Sequence, residues 1–181
     1  MSRRIKATLS QSSIQQAIRE IEQYKQEMLT KCRTVAERLC DVGIQVATEN
    51  LGNYGKYITF RIETTPKNSG VKAVMVATNT GLIKSEWRTQ DGDKSVDVST
   101  LLMAEFGSGL RANNPNASKF GMGTGTFPGQ THAEDPEGWW YMDLEGNWHH
   151  SYGVSPTMPM YKASKEMLDN VTKIVREVFG T

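Results

Sequence analysis

The chain is 181 residues long, with two cysteines and a formal net charge of +1. That length suits one domain, residues 1–181, with a core of its own, and so balanced a charge argues against specific nucleic-acid binding, which usually brings a strongly basic surplus. Two cysteines rule out a disulfide framework, and no apolar run approaches the roughly 20 residues that would cross a bilayer.

Near the start, Arg3, Arg4 and Lys6 are followed by the polar SQSSIQQ, so no secretory leader is expected. Ser10, Ser12 or Ser13 caps a long helix. Ile14, Ala17, Ile18, Ile21, Tyr24, Met28, Cys32, Val35, Ala36 and Leu39 recur at three-and-four spacing, which reads as one buried stripe. At about 28 residues this helix is roughly 40 Å long, enough to cross a whole sheet or to pack on its counterpart in another subunit. Gly43 is expected to break it, with Ile44, Val46 and Ala47 in a short second turn ending near Gly52. Cys32 and Cys40 stand roughly 12 Å apart along the helix, too far for a disulfide, and read as small buried side chains of a reduced protein.

A compact β region follows. Ile58, Phe60 and Ile62 alternate with Thr59, Arg61 and Glu63, the period-two pattern of a half-buried strand. Asn68-Ser69-Gly70 turns into a more apolar strand, Val71 to Ala77. Asn79-Thr80-Gly81 supplies a further turn, so that strand and the next, Leu82 to Trp87, read as a hairpin. Asp91-Gly92 then closes a sheet of three or four antiparallel strands, whose buried face needs the amphipathic helices over it.

A short helix is expected from about Val98 to Phe106, with Leu101, Leu102 and Phe106 inward and Gly107 as its stop. From Gly107 to about Glu137 no periodicity survives, and loops of that length in a compact domain are usually functional or disordered. Trp139 to Asp143 and Asn147 to Ser151 form two short strands across Leu144-Glu145-Gly146, and Val154 to Pro159 is a stiff extended lead-in. Met160, Ala163, Met167, Val171, Ile174 and Val178 line a last helix that opens on Pro159 and ends at Gly180. The expected class is α+β. A long N-terminal helix and a C-terminal helix pack on a small antiparallel sheet, and residues 107–157 insert a long loop and an aromatic hairpin.

The insertion gathers the residues that could carry chemistry. His132, His149 and His150, with Glu134, Asp135 and Glu137, raise the question of a metal site. Zinc asks for three or four convergent ligands, whereas adjacent His149 and His150 on a strand point to opposite faces, so no metal is assigned. Neither cysteine lies near a histidine and there is no GxSxG elbow, so no nucleophile is assigned. GMGTGTFPG at 121–129 has the glycines of a phosphate loop without its Lys-Ser/Thr ending, and those glycines are read as letting backbone pass close to another surface. Trp139 to Trp148 is similar to one unit of the aromatic cell-wall- and choline-binding repeats, which come in tandem arrays, whereas one copy is present here. Two classes of function follow: a protein interface anchored by Trp and Tyr, or a glycan- or choline-binding module built on the hairpin.

Ala104-Glu105-Phe106-Gly107 closes the short helix, a variable loop follows, and Met158-Pro159-Met160-Tyr161-Lys162-Ala163 opens the terminal helix. With the long first helix and the meander, these segments resemble the tail-completion, or head–tail joining, proteins of long-tailed double-stranded-DNA bacteriophages. The first is similar to that family's EFG signature. The second is similar to its Pro-aromatic-x-x-x-Ala entry, with methionine at 160 in place of the aromatic. The resemblance implies a virion protein without catalysis or cofactor, assembled in the host cytoplasm. It implies a homo-oligomeric ring, hexameric or dodecameric, with portal-adaptor, neck or tail-tube proteins as neighbours and no membrane contact. Ring contacts are heterologous, and the basic N-terminal region and acidic loop are candidate halves of one. The candidate partner-binding residues are Glu105, Phe106, Gly107, Phe127, Trp139, Trp140, Trp148, His149 and Pro159, with loop 107–138 expected to order on a neighbour.

Overall fold

A computed structural model describes residues 5–6, 8–67, 70–120 and 135–180. The chain is α+β. Its first helix, α1 (Gln11–Glu49), starts at Ser10, whose side-chain oxygen accepts the Ser13 N–H, and runs for 39 residues. At 1.5 Å per residue that is about 58 Å. The expected break at Gly43 does not occur. Gly43 is buried within the helix, and a Cβ there would lie 2.6 Å from Met167 Sδ and 3.1 Å from Met75 Sδ. The bare backbone lets those two methionines close in on α1. Glycine costs about 1 kcal/mol relative to alanine in a helix interior, set here against the packing of the two methionine side chains on the helix.

The last helix, α3 (Pro159–Phe179), has 21 residues and runs antiparallel to α1. Lys162 Nζ donates to Asn50 Oδ1 at 2.7 Å, Met167 meets Gly43, Arg38 pairs with Glu177, and Lys31 Nζ sits 5.4 Å from the Phe179 ring. Because α3 ends there, it covers only the C-terminal part of α1. The stripe expected to be buried along the whole helix is therefore buried in part. Ile14, Ile18 and Ile21 are 44, 51 and 55 % exposed, and Tyr24 is exposed as well. Cys32 falls at the same boundary and is exposed, contrary to expectation. Cys40 is buried, and burial, with Asp41 and Glu37 nearby, pushes its thiol pKa up.

After α1 a 3-10 turn (Gly52–Tyr57) leads into β1 (Ile58–Lys67), which pairs with β2 (Gly70–Asn79) along its full length, and α1 lies across this pair. The expected hairpin between β2 and the next strand is absent. β3 (Leu82–Thr89) pairs instead with β4 (Gly92–Ser99), and the order in the second sheet is β4-β3-β5-β6, with β5 (Trp139–Met142) and β6 (Trp148–Ser151) from the insertion. The turn-like residues between β2 and β3 have other partners. Thr80 N–H donates to Tyr57 C=O at 2.7 Å, and the fully buried Thr100 hydroxyl donates to the Asn79 side chain, with Gly81 C=O also near it. Thr100 thus pins the passage between the two sheets.

Strand β4 replaces what reads in the sequence as the end of the sheet and the first turn of a helix. No residue of β3 or β4 is buried, so neither strand's burial selected a clear alternation. The short helix α2 (Thr100–Phe106) follows, capped by the Ser99 side chain. It crosses the base of β1–β2, where Leu51, Ile58 and Ala104 form a core cluster with Tyr54, Tyr57, Phe60, Ala77 and Leu101 packed on it. Among the described residues, no helix is long and apolar enough to cross a membrane.

Candidate partner-binding site

The two segments that frame the insertion solve each other's helix ends. Helix α2 finishes with carbonyls that have no partner inside the helix, and α3 starts with N–H groups in the same position. Ala104 C=O accepts from Thr157 N–H at 2.9 Å and from Met158 N–H at 3.0 Å. The N-cap residue of α3, Met158, has φ 55° and offers no side-chain cap. Glu105 supplies one from α2. Its Oε2 accepts from Met160 N–H at 2.8 Å and its Oε1 from Tyr161 N–H at 3.1 Å. A carboxylate there also meets the positive end of the helix dipole. Asn114 holds it from the other side, donating from Nδ2 to Glu105 Oε1 at 2.9 Å and to Glu105 C=O at 2.7 Å.

Just beyond α2, the chain is strapped to the lead-in of α3. Ser108 N–H donates to Val154 C=O at 2.8 Å, and Val154 N–H returns a bond to Ser108 C=O at 3.1 Å. This bridge brings backbone against backbone at Gly153, which has φ 92° and where a Cβ would lie 1.9 Å from the Ser108 oxygen. Trp139 rests on the backbone at Gly109, and Arg111 lies over the Tyr152 ring at 6.0 Å. The β5–β6 hairpin is thereby held to the body at its root, and Met142 reaches Arg88 at the edge of β3.

Strand alternation then divides the aromatics. Trp140, Trp148, His150 and Tyr152 share one face. On it Trp140 and His150 stack with centroids 4.6 Å apart, and Tyr152 meets His150 edge-on at 4.6 Å. Trp140 and Trp148 are 64 and 63 % exposed. On the other face Tyr141 stacks on His149 at 5.2 Å. The two histidines do point apart, as their adjacency requires. His150 Nε2 donates to Glu137 C=O at 2.7 Å, and His149 Nε2 lies 2.8 Å from Asp143 Oδ2. Trp140, His150 and Tyr152 border an open depression together with Asp135 and Glu137. Among the described residues, no three His, Cys, Asp or Glu side chains gather in a way that could hold a metal ion.

The His149 imidazole, then the Asn147 N–H at 2.8 Å, hold the Asp143 carboxyl well below the usual carboxylate range. A depressed folded-state pKa gives stabilisation that is present above the ordinary carboxylate value and lost as pH falls towards the depressed one. The 143–147 turn is therefore expected to keep its geometry at pH 4 and to open only in stronger acid. A carbon-13 titration of the Asp143 carboxyl should show this, and His149→Ala should move its midpoint upward. An unshifted midpoint in the parent chain would overturn the assignment.

The candidate residues thus fall into separate groups. Glu105, Phe106, Gly107 and Pro159, expected to meet a partner, are buried and hold the fold together. They are spent on α3's first turn, on the internal core and on the backbone beside the strap. Trp139 is half-buried at the hairpin root, whereas Trp140, Trp148 and His149 are exposed. Phe127, His132, Glu134 and the glycine run lie outside the described residues, as does the middle of loop 107–138. Missing from the expected set are Tyr152, which completes the aromatic face, and the uncovered side chains of α1. One sequence signal could have found the latter: the final helix is too short to cover the whole first stripe. Comparison of the chain with protein-family models, curated proteins and solved structures finds no match.

Proposed function

We propose that this chain is a structural subunit of the phage head–tail connector or tail-completion region, working as a ring between head and tail without catalysis. The observation that carries this reading is the apolar surface the fold leaves uncovered. Ile14, Ile18 and Ile21 on α1, Leu82 and Val96 on the β3–β4 ribbon, and Leu168 on α3 are all exposed. A chain of this length ordinarily buries about 70 % of the surface its unfolded form exposes, so projecting elements with apolar flanks are what an assembly subunit needs. The family resemblance adds to it. Its two motif segments, far apart in sequence, form one unit through Glu105.

The test is deletion of the gene from the phage genome that carries it. Filled heads and finished tails should accumulate unjoined in electron micrographs, and supplying the protein in trans should restore joined particles. Joined particles in the deletion strain would sink the reading. One observation favours a second reading, a cell-wall glycan- or choline-binding module: the exposed face of Trp140, Trp148 and Tyr152. Retention on cell-wall material that is lost in Trp140→Ala would support it in place of the connector.

A further inference from the structure

We infer that the N-terminal arm of α1 packs in parallel against the same arm of a second copy of this chain. This rests on the reading of the chain as a self-assembling subunit and names the contact it uses.

From Gln11 to about Met28 the helix runs beyond the end of α3, and Ile14, Ile18, Ile21 and Tyr24 stay exposed, with Ala17 and Met28 half-buried. Seven-residue spacing separates Ile14, Ile21 and Met28, and Ala17 and Tyr24 fall at the intermediate positions. This is the a/d seam of a coiled coil, sustained for about two heptads. An isolated amphipathic stretch of this kind draws most of its stability from covering that seam.

The charges beside the seam select the occupant and its direction. Glu20 and Glu27 border one edge, while Ile18 and Lys25 border the other. In a parallel arrangement the first edge of one arm faces the second edge of the next, and Glu20 meets Lys25 five residues further along the neighbour. An antiparallel arrangement would set the glutamate edges against each other, which opposes association. The same edge-to-edge complementarity repeats around a ring of parallel arms as well as in a pair. A membrane surface fits less well. The arm carries Glu20, Glu22 and Glu27 against Arg19 and Lys25, without the basic polar face of an interfacial helix.

The full-length protein can be tested by sedimentation over a concentration series and by cysteine cross-linking in a Cys32→Ser background. The parent chain should sediment above monomer mass, and Ile21→Glu should return it to monomer while amide exchange in the body, from β1 to α3, stays as in the parent. Glu20→Lys or Lys25→Glu alone should weaken association about tenfold, and the double exchange should restore it. Ile14→Cys should cross-link to its own counterpart under mild oxidation, as parallel arms in register allow, whereas antiparallel arms would hold the two residues roughly 20 Å apart. A parent chain that stays monomeric, or oligomers indifferent to Ile21→Glu, would overturn the arm contact. Rings that persist in Ile21→Glu would leave the connector reading standing while the arm contact fails. Arm-dependent pairs that never form rings would do the reverse.

Discussion

Glu105→Ala is expected to cost about 3–4 kcal/mol of stability, because it strips three donors of one acceptor group in a buried place. The Met160 and Tyr161 N–H groups and the Asn114 amide all point at that carboxylate. Among the described residues no other side chain caps α3, and Met158 at the N-cap provides no bond. For a chain of this size the loss corresponds to a fall of roughly 10 °C in Tm. Glu105→Gln separates charge from hydrogen bonding. It keeps one carbonyl acceptor but turns an NH2 group towards donors, and it should cost about 1–2 kcal/mol. Urea denaturation of the three proteins measures both values. A Glu105→Ala chain as stable as its parent would show that the carboxylate is not what holds α3 against α2.

The second large effect is expected at Gly153, and Gly146 supplies its control. Both residues have φ 92°. At Gly146 an added Cβ would meet nothing within 4 Å, so Gly146→Ala carries only the conformational penalty, roughly 1–2 kcal/mol. At Gly153 the same Cβ would lie 1.9 Å from the Ser108 oxygen, 2.6 Å from the Ser108 carbonyl carbon and 2.9 Å from Gly109 Cα. All three atoms are backbone, so no rotamer change relieves the clash. The strap must open and release both Ser108–Val154 hydrogen bonds. Gly153→Ala should therefore cost about 2 kcal/mol more than Gly146→Ala. Amide exchange at Ser108 and Val154 should accelerate in the first variant alone. Equal destabilisation of the two variants would refute the clash.

How far such features can be read from sequence depends on whether their cause is local. A serine cap among Ser10, Ser12 and Ser13, the end at Gly180, the first turn at Pro159 and the strand pair around Gly146 were all legible, because neighbouring residues determine them. The α1 stripe was legible as a stripe, but periodicity is identical in its covered and uncovered parts, so it did not reveal where the cover ends. Gly43 read as a break because a helix interior disfavours glycine, whereas the reason for it is Met167, far along the chain. Asn79-Thr80-Gly81 has the composition of a hairpin turn. Its polar groups are taken by Tyr57 and Thr100 instead, and a turn preference says nothing about such competitors. Strand β4 left little trace since burial never acted on either of its faces. Alternation places Trp140 and Trp148 on one face, but their exposure was not legible, because it depends on what the rest of the chain leaves uncovered. Glu105 could be read as part of a motif, but its bonds to Met160 and Tyr161 span 55 and 56 residues, so its internal role was not visible.

The strap at Ser108 and Val154 also governs how freely this protein can change. It joins the two ends of the insertion where they leave the body, so, apart from Asn114 and Phe120, which reach back to Glu105 and Phe106, the helices and β1–β2 depend little on what lies between. Closing a loop costs only about 0.6 kcal/mol more for each doubling of its length. Segments of very different size and composition can therefore occupy that position at little expense to the scaffold. Residues outside the strap must stay compatible with one another, while those inside answer only to what they touch. The insertion is in this sense an interchangeable head on a fixed handle, and divergence between related chains should concentrate there.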